Sequence, residues 1–396
     1  MDIAVVGAGP AGARAAYVLA RAGARVTMFD ASHPREKPCG GGVTGRALAL
    51  VASAVDPGGF PRTTIGSARF TAAGVQSDVP RPVHRTEIRT ESCPPTIALD
   101  DEALVVASRV AFDTALLTAA ERAGAQVERA RVRDIAVDNR SVRLETSRGT
   151  RSASFVIGAD GANSLVRRKL ARPFGRAELS IATGFFAHGI TSDEIVIELV
   201  TDPPGYLWSF PRPDHLAIGI CVQADSGTTA EALRAHARRW IERERLAAGA
   251  RLEPYSWPIP SLRSQDLERL QLAGPRWCLA GDAAGLVDPI TREGIFFALA
   301  SGEWIADAIL GDCASVRYAD RVRDEIVPEL MRAARAKTLF FRPRFARLLL
   351  DALQESAAIR AVMADLIAGR QPYASLKWRL LKTLEIGTLW SLVVGR

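Results

Sequence analysis

The spacing of apolar residues changes period three times within the first thirty positions. "IAVV" is a short buried-strand run, "GAGPAG" a glycine turn, "ARAAYVLARAG" a helix closed by Gly23, and "RVTMFD" a second strand. "SRVAFDTALLTAAERAGAQVERA" repeats the helix-then-strand order, and "SASFVIGADGANSLVRRKL" reads as strand, turn and helix. Residues 60–100 hold short alternating segments rich in Pro and Thr, expected as hairpins and loops. Alternation returns between 180 and 225 in "EIVIELV", "YLWSF" and "HLAIGICV", which predicts an antiparallel sheet. "RWCLAGDAAGLVDPITREGIFFALASGEWIADAIL" is strand, loop and long helix, and beyond about residue 320 the pattern is helical. The expected architecture is α/β. Residues 1–68, 101–170 and 270–320 form one Rossmann-like domain, 69–100 and 171–269 an inserted antiparallel-sheet domain, and 321–396 a helical C-terminal region.

Composition adds bounds. The 396 residues are 48% hydrophobic and 24% charged, the balance of a globular chain with a sizeable core. Five scattered cysteines show neither metal-ligand spacing nor a disulfide framework. "MDIAVVGAG" opens directly on a strand without a positive-then-apolar leader, so a cytoplasmic protein is expected. The net charge of +7 is uneven: residues 331–396 carry twelve Lys and Arg against four Asp and Glu. Such a tail suits an anionic surface, or is simply a solvated helix face. "SLKWRLLKTLEIGTLWSLVVGR" mixes Lys377, Arg379 and Lys382 with Trp378, Leu381, Leu384 and Trp390. Its uncharged run from Ile386 to Gly395 is far below the roughly 20 residues needed to span a bilayer. The segment reads either as an interfacial anchor or as a helix docked on the body.

The first glycine turn carries chemistry. Gly7, Gly9 and Gly12, with Pro10 and Ala11 between them, form G-x-G-x-x-G between a strand and a helix. In this pattern the first glycine turns the chain, the second admits a pyrophosphate, and the third packs helix on strand. Asp30 ends the second strand eighteen residues after Gly12, where a carboxylate reaches ribose hydroxyls. The pattern predicts a dinucleotide without separating FAD from NAD.

Two later segments separate them. "GADGANS", with Asp160, and "AGDAAGLVDPITREGI", with Gly281, Asp282, Pro289, Gly294 and Ile295, resemble signatures shared by FAD-dependent hydroxylases and their relatives. The resemblance implies an FAD-binding domain of the three-stretch, hydroxylase type. Asp282 would hold the ribityl chain, and the backbone N–H groups of Gly294 and Ile295 the flavin carbonyl. Arg109 matches an arginine that reaches the cofactor's phosphate region, and Val132 a backbone position beside adenine.

"KPCGGGV", the segment Pro203-Pro204-Gly205-Tyr206-Leu207-Trp208-Ser209-Phe210-Pro211, and "DLIAGRQPYASLKWRLL" narrow the likeness. Together they resemble the geranylgeranyl reductase family of FAD-dependent oxidoreductases. That resemblance implies reduction of carbon–carbon double bonds in a polyprenyl lipid or quinone side chain by hydride from reduced FAD. Cys39 and Gly40 would line the flavin, while Arg35 and Lys37 would steer phosphate or the electron donor. Tyr206, Trp208 and Phe210 alternate along a strand and so share a face, either as packed core or as the wall of a lipid cavity. Cys39, Tyr206 or a flavin-bound water are the candidates for proton supply. No second strand–turn–helix G-x-G-x-x-G unit for NADPH is seen, so the donor is expected to be NADPH bound transiently or a reduced carrier protein. Expected partners are therefore a polyprenyl lipid, an anionic membrane surface on the inner face, and an electron-donor protein, with no nucleic acid. The rivals are an FAD-dependent monooxygenase or halogenase of the same fold, and a flavin electron-transfer protein. Two positions depart from the family pattern: Asp30 stands where Glu is common, and Arg292 where glycine is frequent.

Overall fold

The structure, a computed structural model, describes residues 1–72, 94–101 and 103–383. Leu384 and Trp390 of the basic tail lie outside the described residues. A six-stranded sheet runs in the spatial order Gln126–Glu128, Arg25–Phe29, Asp2–Val6, Phe155–Gly158, Trp277–Leu279 and Ala273–Gly274. All neighbours are parallel except the last pair. Its central strands are apolar on both faces, as a sheet covered on both sides requires. Helices Pro10–Arg21 and Ile295–Leu310 pack closely against each other. Their approach depends on small residues: a β-carbon on Gly302 would lie 2.3 Å from the carbonyl oxygen of Ala11. A three-stranded sheet of Val132–Val137, Val142–Thr146 and Gly149–Ala153 contributes Ile135, Val142 and Leu144 to the same core.

The second large sheet has seven strands, in the order Arg251–Pro260, Leu179–His188, His215–Gln223, Pro204–Pro211, Glu194–Thr201, Ser67–Ala72 and Thr96–Ala98. One face is covered by helix Ala230–Arg243, whose Leu233, Ala237 and Trp240 pack on Ile218, Ile220 and Val222. The opposite face carries Ala182, Tyr206, Trp208 and Cys221. The strands between 179 and 223 pair antiparallel, as expected, and the one parallel pair of this sheet among the described residues joins Glu194–Thr201 to Ser67–Ala72. These two strands come from distant parts of the chain, so no hairpin constrains their direction.

A small sheet of Gly42–Thr44, Leu104–Ala107 and Arg62–Thr64 stands between the two large ones in sequence. The C-terminal helices run Ala314–Glu325, Val327–Phe340, Pro343–Glu355, Ala357–Ile367 and Tyr373–Thr383. Leu350, Leu353, Ile359 and Met363 from them share a core with Ile65, Phe70 and Ile195. The architecture is thus a hydroxylase-type α/β domain, a largely antiparallel sheet and C-terminal helices. Among the described residues, no helix is long and apolar enough to cross a membrane.

Candidate cofactor and substrate site

The first glycine turn is built by exclusion. Gly7 sits at φ +103°, and a β-carbon there would lie 2.3 Å from the Ala159 carbonyl oxygen. One on Gly12 would lie 2.0 Å from the Gly7 oxygen. Gly9 differs: a β-carbon there meets only the His33 ring, at 3.5 Å, so this side of the turn is open. Gly9 is also the N-cap of helix Pro10–Arg21, which has no side-chain cap, leaving first-turn N–H groups for an anion. Asp30 accepts the N–H of Ala8 at 2.9 Å and of Ser32 at 2.8 Å. Burial alone would raise its pKa, but His33 and these backbone donors outweigh burial and hold the carboxyl below the usual range.

Behind the turn lies a buried ionic chain. His33 Nδ1 is 2.8 Å from Asp30 and Nε2 is 3.3 Å from Asp113. Asp113 accepts from Arg109 Nε at 2.9 Å and Nη2 at 2.8 Å, and the remaining Nη1 points to Cys39 Sγ at 3.8 Å. Arg109 thus reaches the site through the cysteine.

The loop around Cys39 is fixed from outside its own segment. Glu36 accepts from Ser108 Oγ at 2.6 Å, from the Arg109 N–H at 3.1 Å, and from fully buried Arg212. Arg212 also donates to the Cys39 carbonyl at 2.7 Å. Gly41, at φ +84°, leaves no room for a β-carbon, which would lie 2.4 Å from the Ala107 oxygen. β-Carbons on Gly40 and Gly42 would press on the Phe210 ring at 3.0 and 3.2 Å. The glycine run therefore lies flat on the aromatic strand.

Opposite it, Lys37 Nζ donates to Asp282 at 2.8 Å. Buried Asp288 accepts the N–H groups of Ile290 (2.7 Å) and Thr291 (2.9 Å), shaping the turn that leads to Gly294. Gly294 caps helix Ile295–Leu310 without a side-chain cap, so its first N–H groups are also unpaired within the helix. Glu293 is tied down by Thr44 at 2.7 Å and by Arg46.

A cavity of about 250 Å³ joins these parts. Its lining includes Pro10, Lys37, Cys39, Gly40, Arg109, Asp282, Gly294 and Ile295, then Tyr206, Trp208 and Phe210, and finally Phe70, Ile195, Ile197, Met363, Leu366 and Ile367. Tyr206 Oη donates to the Thr291 carbonyl at 3.3 Å. Burial pushes its phenol well above the ordinary value, so it holds its proton at neutral pH. Trp208 fits because its partner across the ladder is Gly219, where a β-carbon would lie 2.4 Å from the indole.

Other expected residues do not line the cavity. Arg35 stacks on Trp257, 4.6 Å from the ring centre. Val132 is buried in its strand and Pro289 in its turn. Asp160 accepts from Ser164 Oγ at 2.5 Å and Leu165 N–H at 2.6 Å, bracing its own turn. Gly281, at φ +53°, faces Ala298. Sequence reasoning missed Glu36, His33, Asp113 and Arg212. His33 and Glu36 stand just before "KPCGGGV", but the partners that tie them to the site, Asp113 for His33 and Ser108, Arg109 and Arg212 for Glu36, lie 72 or more residues away in sequence.

The residues fit FAD. The open cradle at Gly9, two uncapped helix N-termini on one cavity, and carboxylates at Asp30 and Asp282 supply what its phosphates, flavin and hydroxyls require. The FAD binding domain family matches residues 1–300. The chain is 30% identical to the menaquinone reductase of Mycolicibacterium smegmatis over 327 residues, 77% of this chain and 75% of that one. It is 30% identical to the digeranylgeranylglycerophospholipid reductase of Methanothrix thermoacetophila over 372 residues, 86% and 88% of the two chains. Among solved structures, a geranylgeranyl bacteriochlorophyll reductase-like protein of Thermoplasma acidophilum superposes with a TM-score of 0.77 at 22% identity, covering 97% of this chain and 99% of that one. A flavin-dependent brominase shares the fold with a TM-score of 0.68 at 18% identity, covering 96% and 99%. With its glycine cradle, CGGG loop and aromatic strand on one cavity, the chain is an FAD-dependent oxidoreductase and belongs to the geranylgeranyl reductase family.

Proposed function

We propose that the protein saturates carbon–carbon double bonds of a polyprenyl chain, in a geranylgeranyl-type lipid or a quinone side chain. The observation that carries this reading is the continuity of one cavity from the Cys39–Gly42 loop to the apolar wall of Phe70, Ile195, Ile197, Met363, Leu366 and Ile367. Bound FAD, once reduced, supplies hydride. The chain's own residues do the rest. Phe210, pressed on Gly40 and Gly42, with Trp208 beside it, holds an isoprenoid by apolar contact and excludes water. Tyr206 keeps its phenolic proton at the cavity wall, and Cys39 lines the same space. The electron donor, NADPH or a reduced carrier protein, binds transiently in this reading.

Anaerobic photoreduction followed by mixing with polyprenyl lipid tests it. Fast reoxidation with a saturated product supports the reductase; oxygenation or halogenation on admitting air supports the rival of the same fold. Cys39→Ser and Tyr206→Phe are expected to keep FAD and to slow lipid-dependent reoxidation or alter the degree of saturation. Unchanged kinetics in both would return these side chains to a packing role.

A further inference from the structure

Strands Pro204–Pro211 and His215–Gln223 are joined by a tight turn in which the Arg212 N–H donates to the His215 carbonyl at 2.8 Å. Both side chains leave this turn for the interior: Arg212 is fully buried and His215 is 5% exposed. The guanidinium lies beneath the CGGG loop. Its Nη2 holds the Cys39 carbonyl and its Nη1 holds Glu36. A β-carbon on Gly41 would lie 3.1 Å from its Nε, a buried N–H without a partner. The same Nη1 is 3.2 Å from His215 Nε2. A guanidinium only donates, so Nε2 is the bare, accepting nitrogen of a neutral imidazole. The ring proton sits on Nδ1, 2.7 Å from Asp214 Oδ1.

A second proton has only Nε2 to occupy. There it turns the acceptor into a donor aimed at an N–H and sets two cations side by side. The charged groups around the ring all bear on that step. Asp214 and Arg212 stand in the turn, and Glu36 comes from the loop before Cys39. His188, on strand Leu179–His188, has its ring centre 5.2 Å away and is itself 3.1 Å from Glu253 of strand Arg251–Pro260. Phe186 packs edge-on against the imidazole at 5.3 Å. Burial, followed by Arg212, lowers the His215 pKa below 6.5, and Asp214 and Glu36 oppose this only in part. The ring is therefore neutral at neutral pH, and its acceptor is lost on the acid side of 6.5.

We propose that His215 is a positioning residue for the cofactor loop, acting through Arg212. As a neutral imidazole it steadies the guanidinium on the Cys39 carbonyl and Glu36. As an imidazolium it drives the guanidinium away and frees the segment Lys37 to Gly42, which lines the cavity. Affinity for FAD thereby falls in acid. The inference rests on the FAD site alone and not on the polyprenyl reading.

The dissociation constant of FAD, followed by flavin fluorescence across pH, tests this. The wild type should hold FAD about tenfold more weakly at about pH 5 than at about pH 7.5, the effect of a one-unit pKa difference between FAD-bound and FAD-free protein. Buried Asp160 and Asp288, whose carboxyls burial raises, also titrate in acid, so variants assign the transition. His215→Gln keeps a neutral acceptor for Arg212 and should retain the neutral-pH affinity throughout. His215→Lys, a standing cation, should bind FAD weakly at both ends. The Asp214 side chain is 77% exposed, so Asp214→Asn spares the fold while removing a carboxylate that favours the imidazolium; its transition should move to lower pH. A pH-independent affinity in the wild type overturns the proposal, as does a transition unchanged in both His215→Gln and Asp214→Asn. A transition kept in His215→Gln but lost in His188→Gln belongs to His188 and overturns it equally. Should His215→Lys fail to fold, the Gln and Asn variants decide.

Discussion

The chain Asp30–His33–Asp113–Arg109–Cys39 places alternating charges in a nearly solvent-free row between the glycine turn and the CGGG loop. Arg109 is 4% exposed and Asp113 1%, so neither charge can turn to water if its partner is lost. Asp113→Ala is therefore expected to cost about 3–5 kcal/mol, the penalty of stranding a buried charge, measured as a shift in chemical denaturation. The row also titrates. Burial would lower the His33 pKa, but hydrogen bonds to Asp113 and Asp30 outweigh it and raise the pKa above 6.5. A raised histidine stabilises fully below its unfolded pKa, and that contribution is lost as pH rises through the folded value. For Asp113, burial opposes ionisation, yet Arg109 and His33 hold the carboxyl below 3.8; its contribution, like that of Asp30, is lost as pH falls. The row is best formed between about pH 4 and pH 6.5. Unfolding temperatures should fall from pH 6 toward pH 9 in the wild type and do so less in His33→Gln; parallel curves would remove His33 from this role.

Elements were more legible than contacts. The strand–turn–helix at residues 2–21 and the helix after Gly294 announce themselves through periodicity and glycine spacing, because local backbone geometry alone demands them. Tyr206, Trp208 and Phe210 alternate along their strand, and in the structure they share a cavity wall as well as a packed cluster. Glu36 and Arg212 gave no such signal, since an ion pair 176 residues apart leaves no periodic trace. The helix Gly45–Val51 and the parallel pairing of Ser67–Ala72 were likewise invisible, being decided by what packs on them. Within the glycine turn, the geometry separates two jobs that the motif merges. Gly9→Val fills the open side of the cradle, with only the His33 ring near it and an ordinary φ of −72°. It should fold normally and purify with little FAD, read from the flavin absorbance. Gly12→Ala drives a β-carbon to 2.0 Å from the Gly7 oxygen and should lower yield and unfolding temperature instead. The reverse pattern would assign the pyrophosphate to another surface.

At the scale of the whole molecule, the apolar end of the cavity is closed by helix Ala357–Ile367, which contributes Met363, Leu366 and Ile367. The next helix, Tyr373–Thr383, buries none of its residues and leaves Trp378 69% exposed beside exposed Lys377. Part of the basic excess nearby is neutralised, since Arg370 pairs with Asp100 and Asp365, and Arg379 with Asp365. Lys377, Lys382, Arg342, Arg344 and Arg347 have no ion-pair partner among the described residues, so the positive field persists along these helices. A polyprenyl chain is far more stable in a bilayer than in water, and an exposed tryptophan beside free lysines is suited to the headgroup layer. Each basic residue close to an anionic surface contributes about 1 kcal/mol, screened within a Debye length. The protein should therefore co-sediment with anionic vesicles, bind neutral ones weakly, and be released as salt rises. Deleting Ser375–Arg396 should abolish the binding, and so should Lys377→Glu combined with Trp378→Ala, which removes no packed side chain and guards against misfolding of the truncated chain. Undiminished co-sedimentation of both variants would show that the vesicles are gripped elsewhere, and that this helix does not present the cavity to the membrane.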